Sequence, residues 1–128
     1  MSALRVALVG LGEIGRTAHL PALLRRGDVT LVAAVEPDPR QRERAELPPG
    51  VPVLDRLDQA AADAVVLATP PWVTPDLAIA AARSGKYVLA EKPVATSVAA
   101  AGGYAALSAA ERARIQVGLT YRHDPAMV

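Results

Sequence analysis

The feature that most constrains the fold of this chain is a regular alternation of short apolar runs with helical segments. Near-continuous apolar runs suit strands buried on both faces of a parallel sheet, and the helices between them supply right-handed crossovers. The predicted strands are Leu4–Val9, Thr30–Val35, Val51–Leu54, Ala64–Ala68, Tyr87–Ala90 and Ile115–Leu119. This pattern predicts an α/β fold: a single Rossmann domain with a doubly wound, mostly parallel six-stranded sheet.

Four helices are predicted between the strands from capping residues and glycine stops. Pro21 is expected to kink the first helix or break it late, and the pair Gly102-Gly103 is expected to weaken the last one. The predicted helices run from Ile14 to about Arg26, from an Asp38 cap to about Glu46, from a Thr74 cap to about Ser84, and from a Ser97 cap to about Arg112.

A glycine-rich loop leaves the first predicted strand and opens the first predicted helix. It has the spacing G-x-G-x-x-G and consists of Gly10, Leu11, Gly12, Glu13, Ile14 and Gly15. The first glycine permits a tight turn, the second lets backbone N–H groups approach a pyrophosphate, and the third lets the helix pack against the strand. The helix N-terminus then offers its N–H groups to the phosphates. In this context the loop predicts a dinucleotide site, although a simple glycine-rich turn remains the alternative.

An acid follows the second predicted strand at the position the dinucleotide fingerprint requires. Glu36 comes 21 positions after Gly15 and directly after Val35. A carboxylate there accepts hydrogen bonds from the ribose hydroxyls of NAD and repels the 2′-phosphate of NADP. We therefore predict NAD in preference to NADP, although Arg40 and Arg42 lie near enough to complicate the charge argument.

The fifth predicted strand ends in Glu91-Lys92-Pro93, at the sheet edge where open α/β folds bind ligands. The chain has 12 arginines and only two lysines, so Lys92 stands out. A lysine at that edge can polarise a substrate oxygen or share in proton transfer. The alternative is an exposed ion pair at a strand end, which contributes little.

Taken together, several motifs resemble the N-terminal half of the Gfo/Idh/MocA oxidoreductases, which include glucose–fructose oxidoreductase and inositol dehydrogenase. They are the loop Gly10–Gly15, the stretch Thr69–Trp72 (TPPW), the stretch Ala78–Ala90 (AIAAARSGKYVLA) and the stretch Glu91–Thr96 (EKPVAT). The resemblance runs from Arg5 to about Pro125.

This resemblance implies NAD(P) bound across the glycine loop, with Glu36 at the adenosine ribose. It places Thr69, Pro70, Glu91 and Lys92 at the nicotinamide end, with Lys92 as the catalytic residue that contacts the substrate. It also implies that Tyr121 and Arg122 face the nicotinamide pocket, although both also fit an ordinary polar strand end. The Lys92–Pro93 peptide bond is a candidate for the cis form.

The chain departs from the family pattern in two ways. Thr74 stands where the family often has a histidine, and a hydroxyl cannot replace an imidazole in acid–base work. Residues 1–122 account for the dinucleotide-binding domain, so residues 123–128 read as an exit segment toward a C-terminal substrate domain that this chain lacks. Because His123 lies on this exit segment, it is not assigned as a catalytic base. His19, on the first predicted helix near the glycine loop, is interpreted as structural.

Two functions are consistent with these observations. The first is the NAD-binding half of an oxidoreductase acting on a sugar, cyclitol or similar polyol, not competent alone. It would be an expressed fragment, a proteolytic product, or a short gene product that works with a separate chain carrying the C-terminal domain. The second is a non-catalytic dinucleotide-binding module, either a redox sensor or the remnant of a truncated gene. Loss of the second domain would uncover apolar surface near Trp72 and Val73, so a homo-oligomer is expected.

Composition excludes several other classes. The net charge of +1 gives no reason to expect nucleic acid or an anionic membrane as a partner. Absence of cysteine excludes thiolate chemistry, and two histidines 104 positions apart give no reason to expect a metal site. No run has the roughly 20 apolar residues of a membrane helix. The short run Val6–Val9 does not make a signal peptide, so the cytoplasm is the expected location.

Overall fold

The computed structural model, which describes residues 2–127, contains one six-stranded sheet in which every neighbouring pair of strands is parallel. The strands are β1 (Leu4–Val9), β2 (Val29–Val35), β3 (Val53–Leu54), β4 (Ala64–Leu67), β5 (Tyr87–Glu91) and β6 (Ile115–Gly118). Their order across the sheet is β3-β2-β1-β4-β5-β6. The predicted fold class is confirmed, and all six strands lie within about two residues of their predicted bounds.

Helical segments connect the strands. The first, α1, contains a π-helical segment (Gly15–His19) that continues as α-helix (Leu20–Leu24). Short 3-10 segments occupy Leu57–Gln59 and Thr120–His123. The remaining helices are α2 (Pro39–Arg44), α3 (Thr74–Arg83), α4 (Gly102–Ala105) and α5 (Ala109–Arg112).

The structure corrects two of the helix predictions and adds detail to a third. The helix expected from Ser97 to Arg112 is two short helices, because Ser108 interrupts it and starts α5 with a capping box to Glu111. At Pro21, α1 widens into a π turn just before the proline, whose ring would otherwise crowd the preceding turn, and the helix ends at Leu24. Thr74 is the first residue of α3 and not its N-cap.

The strand order reverses direction in the middle of the sheet. β1 lies between β2 and β4, so the chain winds one way through β2 and β3 and the other way through β5 and β6. Ligands of such sheets bind in the crevice that opens at the carboxyl ends of the strands, at this switch point. Val9, the last residue of β1, is in register with Val35 and Leu67, so the loops after β1, β2 and β4 share one edge.

The central strand β1 is buried on both faces, as its apolar run predicts. Ala7 and Val9 belong to one hydrophobic cluster, which extends to α3, while Val6 and Leu8 belong to another, which extends to α1. This burial fixes the start of the loop that follows β1. Within residues 2–127, the structure contains no helix with the length and apolar character needed to span a membrane.

Candidate functional site

The glycine loop adopts a conformation that two of its three glycines make possible. Gly10 has a φ of +94°, and a Cβ there would stand 2.3 Å from the carbonyl oxygen of Ala68. A Cβ on Gly15 would stand 2.1 Å from the carbonyl oxygen of Gly10. Both contacts are impossible for any other residue, so these positions carry the turn and the close approach of helix to strand.

The second glycine is open on its outer side. A Cβ on Gly12 would meet no atom within 4 Å. The position therefore leaves room for a group to approach the backbone at the start of α1. The first N–H groups of a helix point out of its N-terminus, because no preceding turn supplies carbonyl acceptors for them. Space of this kind fits a diphosphate.

The loop is tied to the end of β2 by the predicted ribose-binding acid. Glu36 is only 8% exposed. Its Oε1 accepts a hydrogen bond from the Leu11 N–H at 2.9 Å, and its Oε2 accepts one from the Asp38 N–H at 3.0 Å. These two backbone donors hold the side chain beside the glycine loop.

The two nearby arginines are each paired with an acid. Arg40 Nε lies 3.5 Å from Asp38 Oδ1. Arg42 donates to the backbone carbonyl of Glu36 and forms an ion pair with Asp55. Neither guanidinium is therefore an unengaged cation beside Glu36.

The loop after β4 is held by a buried threonine. Thr74 is 1% exposed, and its Oγ1 lies 2.8 Å from Thr69 Oγ1 and 3.1 Å from the Pro70 carbonyl oxygen, to which it donates. The hydroxyl thus links the start of α3 to the Thr69–Pro70 turn. A short polar side chain therefore fixes this loop.

The end of β5 presents the predicted lysine. Glu91 is the last residue of the strand and Lys92 follows it, and the Lys92–Pro93 peptide bond is cis, as expected. Glu91 Oε2 accepts a hydrogen bond from the Lys92 N–H at 3.2 Å, and Oε1 lies 2.8 Å from Nε2 of His19. Within residues 2–127, no hydrogen bond or ion pair engages the Lys92 ammonium.

One open cleft of about 1230 Å³ connects these parts. Most of the predicted site residues line it: Gly10, Gly12, Ile14, Glu36, Thr69, Pro70, Glu91 and Lys92. Leu11, Glu13, Gly15 and Arg122 do not; Leu11 and Gly15 are buried beneath the loop, while Glu13 is exposed on α1 and Arg122 is exposed after β6. Among residues 2–127, no cluster of three or more His, Cys, Asp or Glu side chains is arranged to hold a metal ion.

Several cleft residues carry no signal in the sequence. Gln41, Arg56, Val73 and Leu77 line the cleft beyond Glu36 and Pro70. The short link between β3 and β4 brings Arg56 there, and nothing in its composition indicates a ligand. The sequence predicts a structural role for His19 but not its contact with Glu91, because that contact depends on how α1 packs against the sheet.

Comparison with known proteins identifies the family. The Gfo/Idh/MocA model, described as an oxidoreductase family with an NAD-binding Rossmann fold, matches residues 4–119.

The chain belongs to the Gfo/Idh/MocA oxidoreductase family.

Similar family members include inositol dehydrogenases. Inositol 2-dehydrogenase of Rhizobium meliloti (strain 1021) is 32% identical over 124 residues, which cover 94% of this chain and 37% of that protein. Inositol 2-dehydrogenase 4 of Saccharopolyspora erythraea is 39% identical over 133 residues, covering 95% of this chain and 38% of that protein.

A solved structure shows the same fold with cofactor bound. The WlbA dehydrogenase from Bordetella pertussis, in complex with NADH and UDP-GlcNAcA, superposes with a TM-score of 0.81 at 29% identity, covering 98% of this chain and 39% of that one. This chain thus spans less than two fifths of the length of these Gfo/Idh/MocA relatives.

Proposed function

We propose that this chain binds NAD(H) as the dinucleotide-binding half of an oxidoreductase that transfers a hydride between nicotinamide and a hydroxyl-bearing carbon of a sugar, cyclitol or similar polyol. The observation that carries the proposal is the buried Glu36 carboxylate, which two backbone N–H groups hold beside the open glycine loop, inside the same cleft as Lys92. The relatives named as inositol dehydrogenases support the substrate class.

At the adenosine end, the residues favour NAD over NADP. The Glu36 oxygens keep lone pairs for ribose hydroxyls beyond the two backbone hydrogen bonds that they accept. A 2′-phosphate would lie against this carboxylate, and Arg40 and Arg42 are already paired with Asp38 and Asp55. Like charges in such contact cost several kcal/mol.

After the carboxyl end of β5, the cleft is lined by the cationic side chain of Lys92. A nicotinamide bound there would accept or supply the hydride, and Lys92, which lines the cleft, would donate a hydrogen bond to the oxygen of the reacting carbon. Thr69 and Pro70, held by Thr74, also line this cleft.

We infer that the chain needs a substrate domain for turnover, whether from its own continuation or from a separate chain. No histidine lines the cleft in the described part of the chain: His19 contacts Glu91 from outside, and His123 lies on the segment after β6. The same observation is compatible with the second candidate, a dinucleotide-binding module without catalysis.

Titration with NADH and NADPH, followed by calorimetry, tests cofactor binding. We expect NADH to bind at least about tenfold more tightly than NADPH because of the carboxylate–phosphate repulsion. Gly12→Ala should keep the thermal stability but weaken NADH binding, since its methyl group would stand in open space inside the cleft. Gly27→Ala, outside the cleft and equally free of contacts, is the matched control. Equal binding of both dinucleotides would refute the assignment of Glu36.

Turnover separates the two candidate functions. We expect the 128-residue chain alone, mixed with NAD and polyols, to produce no NADH above background. Adding the C-terminal domain of a related inositol dehydrogenase as a separate chain should restore some activity if this is a catalytic half. Tight NADH binding with no activity under either condition would favour the non-catalytic module.

A further inference from the structure

A hydrogen-bonded pair joins α1 to the end of β5 at a point that the proposed function leaves unexplained. His19 Nε2 lies 2.8 Å from Glu91 Oε1, across 72 positions of sequence. The two side chains are 17% and 24% exposed, so the contact is largely shielded from water. A hydrogen bond in such a setting keeps more of its strength than one on the surface.

The π turn in α1 determines where His19 lies. The Leu20 N–H donates to the Gly15 carbonyl, five residues back, so this turn holds one more residue than an α-helical turn. The extra residue rotates the side chains that precede it relative to the rest of the helix. Single π turns inside helices occur frequently at functional sites.

Glu91 uses both carboxylate oxygens within this arrangement. Oε1 meets the His19 ring and Oε2 accepts from the Lys92 N–H at 3.2 Å. On the neighbouring strand β6, Gly118 lies opposite Glu91, and a Cβ there would stand 3.5 Å from Oε1. The carboxylate is thus confined between a helix, a strand and the backbone of the residue that carries the ammonium.

Glu91 and Lys92 line the cleft, whereas His19 is not part of its lining within residues 2–127. Glu91, and not the imidazole of His19, therefore forms the wall of the cleft at this point.

We propose that His19 is a positioning residue for the nicotinamide end of the cleft: by holding Glu91, it sets the turn that presents Lys92. This inference rests on the proposed function, because it assumes that a dinucleotide occupies the cleft. It also couples the glycine loop to Lys92, since α1 begins at that loop and ends its π turn at His19.

The test compares NADH with ADP-ribose, which has the adenosine and diphosphate but no nicotinamide. In His19→Ala, we expect NADH binding to weaken about three- to tenfold, the effect of losing one hydrogen bond, while ADP-ribose binding changes less than about twofold. His19→Gln should restore NADH binding, because its amide nitrogen can reach the place of Nε2. Nuclear magnetic resonance of the Lys92 amide in the ligand-free protein gives a second readout: the resonance should shift in His19→Ala and return in His19→Gln.

The outcomes distinguish the positioning role of His19 from the proposed function of the chain. Equal weakening of NADH and ADP-ribose, or an unmoved Lys92 amide, would overturn the positioning role and leave His19 as a structural residue. If His19→Ala does not fold, His19→Asn replaces it with the same two ligands, because the shorter asparagine amide keeps a polar side chain but does not reach the place of Nε2. Wild-type protein that binds neither ligand would refute the proposed function itself, whatever the Lys92 resonance shows about the pair.

Discussion

At the scale of single residues, Gly10 is the position where the backbone has least choice. Its φ is +94°, and any Cβ there would stand only 2.3 Å from the Ala68 carbonyl oxygen. Gly10→Ala should therefore lower the free energy of unfolding by about 2–4 kcal/mol through strain and overpacking. Urea denaturation of the variant beside Gly27→Ala, where a methyl group meets nothing, measures the effect. A stability equal to that of the control would show that the loop relaxes around the methyl group.

The position of Glu36 could be predicted from the sequence, but its hydrogen bonds could not. Its spacing from Gly15 and its place after β2 predict a carboxylate beside the glycine loop. The hydrogen bonds from the Leu11 and Asp38 N–H groups could not be predicted, because they depend on how two loops from different strands meet.

At the scale of secondary-structure elements, α3 begins with a buried hydroxyl that holds the loop before it. Thr74→Val keeps the shape of the side chain but removes the hydrogen bonds to Thr69 and Pro70. We expect the free energy of unfolding to fall by about 1–3 kcal/mol, because buried acceptors lose their donor. Thr17→Val is the control, because the exposed Thr17 hydroxyl donates a hydrogen bond to the carbonyl of Glu13 on its own helix. It should change the free energy of unfolding by less than about 0.5 kcal/mol. Thermal unfolding of both variants measures the difference. Similar losses in both variants would contradict this role of Thr74.

An ion pair ties β1 to the segment before β4 and makes stability depend on pH. Two hydrogen bonds from the Arg5 guanidinium lower the pKa of Asp63 below its ordinary value of 3.8. Because the folded-state pKa is the lower one, the stabilisation is present above pH 3.8 and is lost as the pH falls through the folded-state pKa.

Asp63→Asn should accordingly melt at a lower temperature than wild type at neutral pH, and the two melting curves should converge as the pH falls below the folded-state pKa of Asp63. Asp28→Asn is the matched control, since Asp28 pairs with Arg26 only two positions away and that contact needs no tertiary structure. A difference between Asp63→Asn and wild type that persists unchanged at low pH would show that the carboxylate charge is not its origin.

At the scale of the whole molecule, apolar side chains gather in the loops after β4 and β6. Trp72 and Tyr121 are each 72% exposed, and Leu119 is 43% exposed. We predict that the chain self-associates through this surface at high concentration. Light scattering should show a dimer or larger species that Trp72→Ser weakens and that Tyr87→Ser, at the amino edge of the sheet, leaves intact. A monomer at millimolar concentration would contradict the prediction.

The sequence by itself determined the fold class, the six parallel strands and eight of the residues that line the cleft. Strands that are buried on both faces need near-continuous apolar runs, and a positive φ or a close backbone approach needs glycine. Both requirements can be recognised in a short stretch of sequence. The break between α4 and α5 could also have been predicted from the sequence, because Ser108 and Glu111 have the three-residue spacing of a capping box.

Only the tertiary structure decided which partners the polar side chains take. The pairing of His19 with Glu91, the engagement of Arg42 by Asp55 and the place of Thr74 inside the loop join residues from separate elements. Such contacts depend on the register of strands and the packing of helices on the sheet, and a local sequence pattern does not encode the distance between two elements.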